Sequence, residues 1–407
     1  MKFKKEIDTI SKLISRHSGQ TVLPEYDLRI DSIPSEQSDN IELYHLVLHQ
    51  VLFRCYQGRY VLLPKVQETS MEEFNAYHDL RERCGFSNLQ SSIEKKLITP
   101  EIGTAYELVE RLSFLEFLSD VSSELDMNAE NEFITFLENN ERRKDYYRNF
   151  LLQSSSDLLA EASASALGVV GDYGPAQSVL FRVLIDEFGY GSFEKKHSSL
   201  FRSTLEGFHL STNYNHYWYL FDINTFKLHN FIHHLFQNPR NFFLQLGFLI
   251  YAESSYQKST KQNYLYLKRH HPEVDSTYFA EHAHIDIHHS SMVLDEVAIP
   301  LAEKFGRQAE IDIMAGISAT QQTFKEFGNQ LLNVSKVFNI LADSGAVSYG
   351  LDESISASEN CFTPSMMAQT IQSCNACSLQ VGGIGALRDP SDFCQFPPGT
   401  LGRETRQ

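Results

Sequence analysis

The stretch FAEHAHIDIHH, covering residues 279–289, places four histidines and two carboxylates within eleven residues. Its spacing constrains the fold more than any other feature of the chain. An α-helix advances about 100° per residue, so residues four and seven positions apart return to nearly the same side. His282, Asp286 and His289 therefore lie within an arc of about 60° if the stretch is helical. A fold that buries this side of the helix has to accommodate three metal-ligand-type side chains in the protein interior.

The opposite side of the same helix carries a second triplet, so spacing alone does not decide which one faces inward. The first triplet shares its edge with apolar side chains, namely Phe279, Ala283, Val293, Val297 and Leu301. The second triplet shares its side with polar ones, so that Glu281, His284 and His288 accompany Ser291 and Asp295. The apolar edge should face the core. A buried carboxylate costs several kcal/mol unless a partner or a metal compensates it, so the inward triplet predicts a metal site completed by other helices.

Other helical segments supply further inward carboxylates. Glu187 lies on the apolar stripe of SVLFRVLIDEFGYG, whereas Asp186 lies off it. Glu253 continues the apolar row of NFFLQLGFLIYAESSY, and Glu161 shares a face of small residues in SSSDLLAEASASALG. His197 follows the FGYG interruption, so the helical period does not fix its direction relative to Glu187.

Together these segments offer three or four carboxylates and three histidines around a common core. Mixed oxygen and imidazole ligation is typical of iron or manganese rather than of a structural zinc site, because no thiolate takes part. The number of carboxylates suits two metal ions bridged by carboxylate better than it suits one.

Composition and charge exclude several classes of function. The chain has 407 residues, and its 35 basic against 52 acidic residues give a net charge of −17 without a basic stripe, so nucleic acid is not an expected partner. No segment approaches the roughly 20 apolar residues that a bilayer span needs, so no membrane insertion is expected. The N-terminus is interpreted as an amphipathic helix rather than a signal peptide, and we expect a cytoplasmic protein.

The chain is predicted to be all-α with three regions. Residues 1–150 form an N-terminal helical region, whose apolar content suggests a homodimer, and residues 151–342 carry the metal-binding segments. Residues 343–407 are rich in Ser, Gly and Pro and are interpreted as a loop-rich tail. The tail holds four cysteines that we expect to be reduced thiols, namely Cys361, Cys374, Cys377 and Cys394.

The order and spacing of these residues resemble the haem-oxygenase-like diiron oxidases, also described as iron-containing redox enzymes. The resemblance runs from about Leu158 to Val297. It rests on Glu187 and His197 flanking a Gly-Tyr-Gly break, on the lone Glu253, and on the pattern His-x-x-x-Asp-x-x-His. It implies a haem-oxygenase-like helical bundle in which the iron ligands are Glu187, His197, Glu253, His282, Asp286 and His289.

Glu161 bears on the reaction that the resemblance implies. Family members that oxygenate an amine nitrogen carry an extra carboxylate on the first core helix, whereas desaturase and fragmentation members generally lack it. The position of Glu161 matches the former, so the resemblance implies a seventh metal ligand and favours nitrogen oxygenation.

A ferritin-like diiron bundle offers a competing ligand set. Such proteins use a Glu from each of two helices plus Glu-x-x-His from each of two others. The chain supplies these in order as Glu161, Glu194-x-x-His197, Glu253 and Glu281-x-x-His284. However, Glu281 and His284 fall on the polar side of their helix. In this arrangement Asp286 and His289 would face the core without binding a metal ion. The haem-oxygenase-like set is therefore favoured, and both sets predict a diiron carboxylate site.

The resemblance implies two iron ions that use dioxygen to oxidise a small amino-acid-like substrate. The favoured reaction is N-oxygenation of an amine, and the alternative within the family is desaturation or carbon–carbon fragmentation of an amino or fatty acid. An external electron donor is a further expected partner. Two other functions stay open, namely iron oxidation or storage and a scaffold that uses no metal.

Overall fold

The computed structural model describes residues 41–57, 71, 87–127, 131–160, 162–214, 216–217 and 220–343. Every regular element within these ranges is helical, which confirms the predicted all-α class. No helix in this part of the chain is both long enough and apolar enough to cross a membrane. The predicted loop-rich tail and its four cysteines lie outside the described residues.

The chain divides into two compact units. The first combines Met1–Ile93 with Val334–Gln407, and the second is Glu94–Asn333. Within the first unit, α1 (Ile41–Gln57) buries Leu48 and Leu52 completely. The second unit contains all the predicted metal ligands.

The remaining helices, given in chain order, are α2 (Ser87–Val109), α3 (Phe114–Met127), α4 (Glu132–Glu138), α5 (Arg143–Leu158), α6 (Ser163–Gly168), α7 (Pro175–Glu187), α8 (His197–Gly207), α9 (Ile223–Gln237), α10 (Phe242–His270), α11 (Thr277–Ser291), α12 (Ile299–Phe305) and α13 (Arg307–Asp343). Short 3₁₀ turns span Gly189–Gly191, Phe193–Lys195 and Pro239–Asn241. A π-helical turn spans Met292–Ala298.

The helix ends have local causes in the sequence. Pro175 is the first residue of α7, where its missing N–H costs no helical hydrogen bond. The side chain of Asp222 caps α9 by accepting a hydrogen bond from Thr225 N at 2.8 Å. The break at the FGYG segment is confirmed, and further breaks fall before Pro175, at Asn238-Pro239 and near Pro272, where Gly or Pro interrupts the helical pattern.

Helices α10 and α11 pack against each other within the second unit. They run antiparallel because only residues 271–276 connect them, and their facing sides carry Glu253 and the His282, Asp286, His289 triplet. Helix α13 approaches α10 closely through two glycines. A Cβ atom on Gly316 would lie 2.3 Å from Leu244 O, and one on Gly247 would lie 2.2 Å from Ile313 O.

The π-helical turn follows directly after α11 and precedes Pro300. Proline has no N–H to donate and its ring clashes with the carbonyl one turn earlier, so a wider turn lets the helical path continue. Val293 and Val297 within this turn are fully buried, as their predicted inward positions require.

Candidate metal centre

A short loop brings Glu187 and His197 together. Glu187 is the last residue of α7 and His197 the first of α8, and the Gly-Tyr-Gly turn lies between them. Gly189 has a φ of +64°, and a Cβ atom there would lie 2.4 Å from the backbone of Lys195 and of Lys196. The absence of a side chain at Gly189 thus allows the loop to fold back onto the segment before His197.

The first group of converging ligand atoms consists of Glu187, His197 and His282, all of them buried. His197 Nδ1 lies 2.7 Å from Glu187 Oε2 and 3.1 Å from His282 Nε2. His282 directs Nε2 inward because its Nδ1 hydrogen-bonds to the carbonyl of Tyr278 at 2.9 Å. Such a partner on the second ring nitrogen is usual for metal-binding histidines.

The second group consists of Glu187, Asp286 and His289, with Glu253 beside it. His289 Nδ1 lies 3.5 Å from Glu187 Oε1, 3.4 Å from Glu253 Oε2 and 3.9 Å from Asp286 Oδ1. The ligand atoms of each group fall within 4.8 Å of one another. Both groups share Glu187, and its two carboxylate oxygens point to different groups.

The carboxylates of the cluster differ in protonation. Burial alone would raise the pKa of Glu187, but hydrogen bonding to His197 and the charges of the three histidines outweigh it and lower the pKa to about 2. Burial dominates at Asp286 and raises its pKa to about 9. Burial also raises the pKa of Glu253. These values leave Glu187 ionised and Asp286 protonated near pH 7.

His289 shows the opposite balance. Burial alone would lower its pKa, but contacts with Glu253, Glu187 and Asp186 outweigh burial and raise it to about 9. Protein metal ligands bind in their deprotonated form. A cation in the second group would therefore compete with protons for Asp286 and His289.

The donor atoms fit iron. Asp286 is fully buried, and neither of its carboxylate oxygens has a hydrogen-bond partner among the described residues. An unpartnered buried carboxyl group costs free energy that a bound cation would recover. The cluster offers carboxylate and imidazole donors without any thiolate, which suits iron.

The positions of the predicted site residues agree with the helical-face argument. His282, Asp286 and His289 are at most 3% exposed, whereas the second triplet of α11, Glu281, His284 and His288, is exposed. Glu194 is exposed too, and it accepts a hydrogen bond from Ser192. The ferritin-like set of ligands is therefore not assembled around Glu253.

Glu161 lies outside the described residues. The prediction for it assumed one continuous helix, and that assumption is wrong for the flanking residues. Helix α5 ends at Leu158, α6 begins at Ser163, and Ala162 between them has a left-handed φ of 63°. The helical period therefore does not run through this segment, and the small-residue face proposed there does not follow from it.

Asp186 is a site residue that the sequence argument missed. It lies off the apolar stripe of α7, yet its Oδ2 lies 3.1 Å from His289 Nε2. A signal for it existed, because an inward histidine needs a partner for its outer ring nitrogen. The apolar stripe of α7 indicates only residues that face the core, whereas Asp186 lies beside that stripe and is partly exposed.

Comparison with known proteins agrees with this geometry. Residues 148–325 match the family described as iron-containing redox enzyme. The chain is 33% identical over 307 residues to a nitrosourea synthase of Streptomyces achromogenes subsp. streptozoticus. The aligned part covers 73% of this chain and 63% of that relative. Through the helical segment that carries the buried carboxylates and histidines, the chain belongs to the iron-containing redox enzyme family.

Proposed function

We propose that the protein is a two-iron oxygenase that uses dioxygen to oxidise a small amino-acid-like substrate, with N-oxygenation of an amine as the favoured reaction. The observation that carries the proposal is the sharing of Glu187 between two buried ligand groups. A carboxylate between two positions is suited to bridging a pair of metal ions, whereas a single-ion site would leave the second group without a role.

We assign the first iron to Glu187, His197 and His282, and the second to Glu187, Asp286, His289 and Glu253. When bound, the ferrous pair would supply electrons for the reduction of dioxygen. The protein holds these ligands in buried positions, and Tyr278 keeps His282 in one orientation through its carbonyl. Tyr278 packs against His282, and Phe201 packs against Tyr278. Both aromatic side chains are buried, and they shield that side of the imidazole from bulk water.

The nature of the substrate is proposed from the relative. Its name, nitrosourea synthase, refers to a compound with an oxygen-bearing nitrogen, so its product supports nitrogen oxidation as the reaction class. A small amine-containing substrate and an external electron donor follow as proposed partners. Glu161 is proposed as a further ligand, on the resemblance alone.

Isotope labelling tests this function. Protein loaded with ferrous iron without oxygen should bind two irons per chain, and it should then consume oxygen faster with one amine of a panel of free amino acids. With ¹⁸O₂, the product should carry the label on nitrogen, as seen by mass spectrometry. Oxygen uptake with iron oxidation but no organic product would instead indicate iron handling, and failure to bind iron would overturn the proposal.

Helix α11 offers a matched control. His282→Ala should lower the bound iron to about one per chain or less and abolish product. His284→Ala removes the same side chain from the exposed side of the same helix, and it should keep both iron and activity. Equal effects of the two substitutions would contradict the assigned ligand set.

A further inference from the structure

The imidazole of His289 is held between two neighbouring carboxylates of α7. Its Nδ1 lies 3.5 Å from Glu187 Oε1, and its Nε2 lies 3.1 Å from Asp186 Oδ2. His289 is fully buried, whereas the side chain of Asp186 is 18% exposed. Consecutive residues of one helix thus contact opposite ends of one ring, and only Glu187 belongs to the proposed ligand set.

The contact with Asp186 has a chemical consequence for the ring. A carboxylate can only accept a hydrogen bond, so Nε2 carries a proton. In the neutral form of the ring that binds a metal, Nδ1 is then the nitrogen with the lone pair, and it lies on the inward side. Without Asp186, either ring nitrogen could turn inward. His282 solves the same problem with a backbone carbonyl, that of Tyr278. At His289 the hydrogen-bond partner is the side chain of Asp186, so a mutation can remove it.

The loop after α7 brings a phenol next to Asp186. Gly189, Tyr190 and Gly191 have φ values of 64°, 54° and 81° in succession. A non-glycine residue in this left-handed region is sterically strained, because its Cβ comes close to the following carbonyl oxygen. Although Tyr190 is 69% exposed, its phenol lies close enough to Asp186 for the carboxylate to raise the pKa of the phenol. The strained turn therefore places the phenol beside the carboxylate.

We propose that Asp186 is a positioning residue of the metal centre, which fixes the ring orientation and the tautomer of His289 so that Nδ1 faces the second metal position. The inference rests on the proposed function, because it assigns a role to a neighbour of one proposed ligand. Asp186 is not itself a ligand, since the ring of His289 separates it from the cluster.

Cobalt(II) titration without oxygen tests this role, because its visible absorption reports both the number of bound ions and their ligand field. Asp186→Asn keeps the size of the side chain but allows the wrong tautomer. It should weaken binding at one of the two positions by about 10–100-fold and shift the absorption of that ion. Asp186→Glu keeps the acceptor and should recover part of both losses.

Glu296→Gln is the matched control. It breaks the ion pair of Glu296 with Arg182, which also joins α7 to the π-helical turn but does not contact His289. This variant should bind cobalt as the wild type does. A thermal melt of each variant separates loss of folding from loss of metal binding. If Asp186→Asn is less stable, its absorption spectrum at saturating cobalt still reports the ligand field of the bound ion.

The possible failures are distinguishable. Two ions bound with wild-type affinity and spectrum in Asp186→Asn would overturn the positioning role and leave the proposed function intact. Equal weakening in Asp186→Asn and Glu296→Gln would also overturn it, because the effect would then be one of helix packing. Failure of the wild-type protein to bind metal would overturn the proposed function, and the positioning role with it.

Discussion

At the scale of single residues, burial decides protonation well beyond the metal centre. His229 and His233 lie one turn apart on α9 and are buried. His229 Nδ1 lies 2.7 Å from Ser156 Oγ. Burial lowers the pKa of His229 and of His233 to about 3. Both side chains are therefore neutral in the folded protein at physiological pH, and their protonation favours the unfolded chain.

This predicts an acid sensitivity that one substitution reduces. An unfolded histidine has a pKa of about 6.5, so the unfolded chain takes up a proton first as the pH falls. The stabilisation from neutral His233 is thus complete above about pH 6.5 and is lost as the pH falls toward the folded-state pKa of about 3. His233→Gln should reduce the slope of the unfolding free energy between pH 6 and 4 by up to about 1.4 kcal/mol per pH unit.

Urea unfolding at several pH values measures this slope. His284→Gln is the matched control, because it makes the same substitution at an exposed position of another helix. The prediction fails if His233→Gln and the wild type lose stability equally over the same pH interval.

At the scale of elements, glycine positions determine how closely the helices and loops approach. The turn after α7 reverses the chain within a few residues and so connects the ends of two helices that both carry ligands. Between α10 and α13, two glycines let backbone contact backbone. Both arrangements depend on a missing side chain rather than on an attractive contact.

For the turn, Gly189→Ala should impair the metal centre. The new Cβ would lie 2.4 Å from the Lys196 backbone nitrogen at a φ of +64°, so the loop has to shift and separate Glu187 from His197. We expect a loss of several kcal/mol in stability and weaker iron binding. Gly191→Ala is the control, because it has a φ of +81° but no atom within 4 Å, and it should cost only about 1–2 kcal/mol. Equal melting temperatures and iron contents would contradict this steric account.

For the helix pair, Gly316→Ala should destabilise the second unit by about 1–3 kcal/mol, because its Cβ would lie 2.3 Å from Leu244 O. Gly328→Ala lies on the same helix with open space around it, so higher helix propensity should stabilise the protein by up to about 1 kcal/mol. Chemical denaturation of both variants measures the change in unfolding free energy, which should fall for Gly316→Ala and rise for Gly328→Ala. A stabilising Gly316→Ala would show that α10 and α13 do not approach this closely in solution.

At the scale of the whole molecule, the ligands come from four separate helices between residues 187 and 289, so metal binding and folding should be coupled. Anaerobic ferrous iron at about 100 times its dissociation constant should raise the unfolding free energy by about 2.7 kcal/mol per site. The melting temperature measured with and without iron tests this coupling. Magnesium is the control, because it prefers oxygen ligands and retains water, and it should stabilise far less. An unchanged melting temperature in the presence of iron would show that metal binding and folding are not coupled.

The sequence by itself determined the all-α class, the break at the FGYG segment and the inward side of α11. It could do so because a helical period relates residues within one uninterrupted helix, and the apolar residues of that helix mark its buried face. This argument identified His282, Asp286 and His289 together, and it identified Glu187 and Glu253 one helix at a time.

Only the tertiary structure decided how these faces meet. His197 follows a break, so no period relates it to Glu187, and its 2.7 Å contact depends on how the glycine turn folds back. Asp186 contacts His289 from another helix, although its own helical position pointed away from the core. A period describes directions within one element, whereas distances between elements depend on packing, which the sequence pattern does not encode.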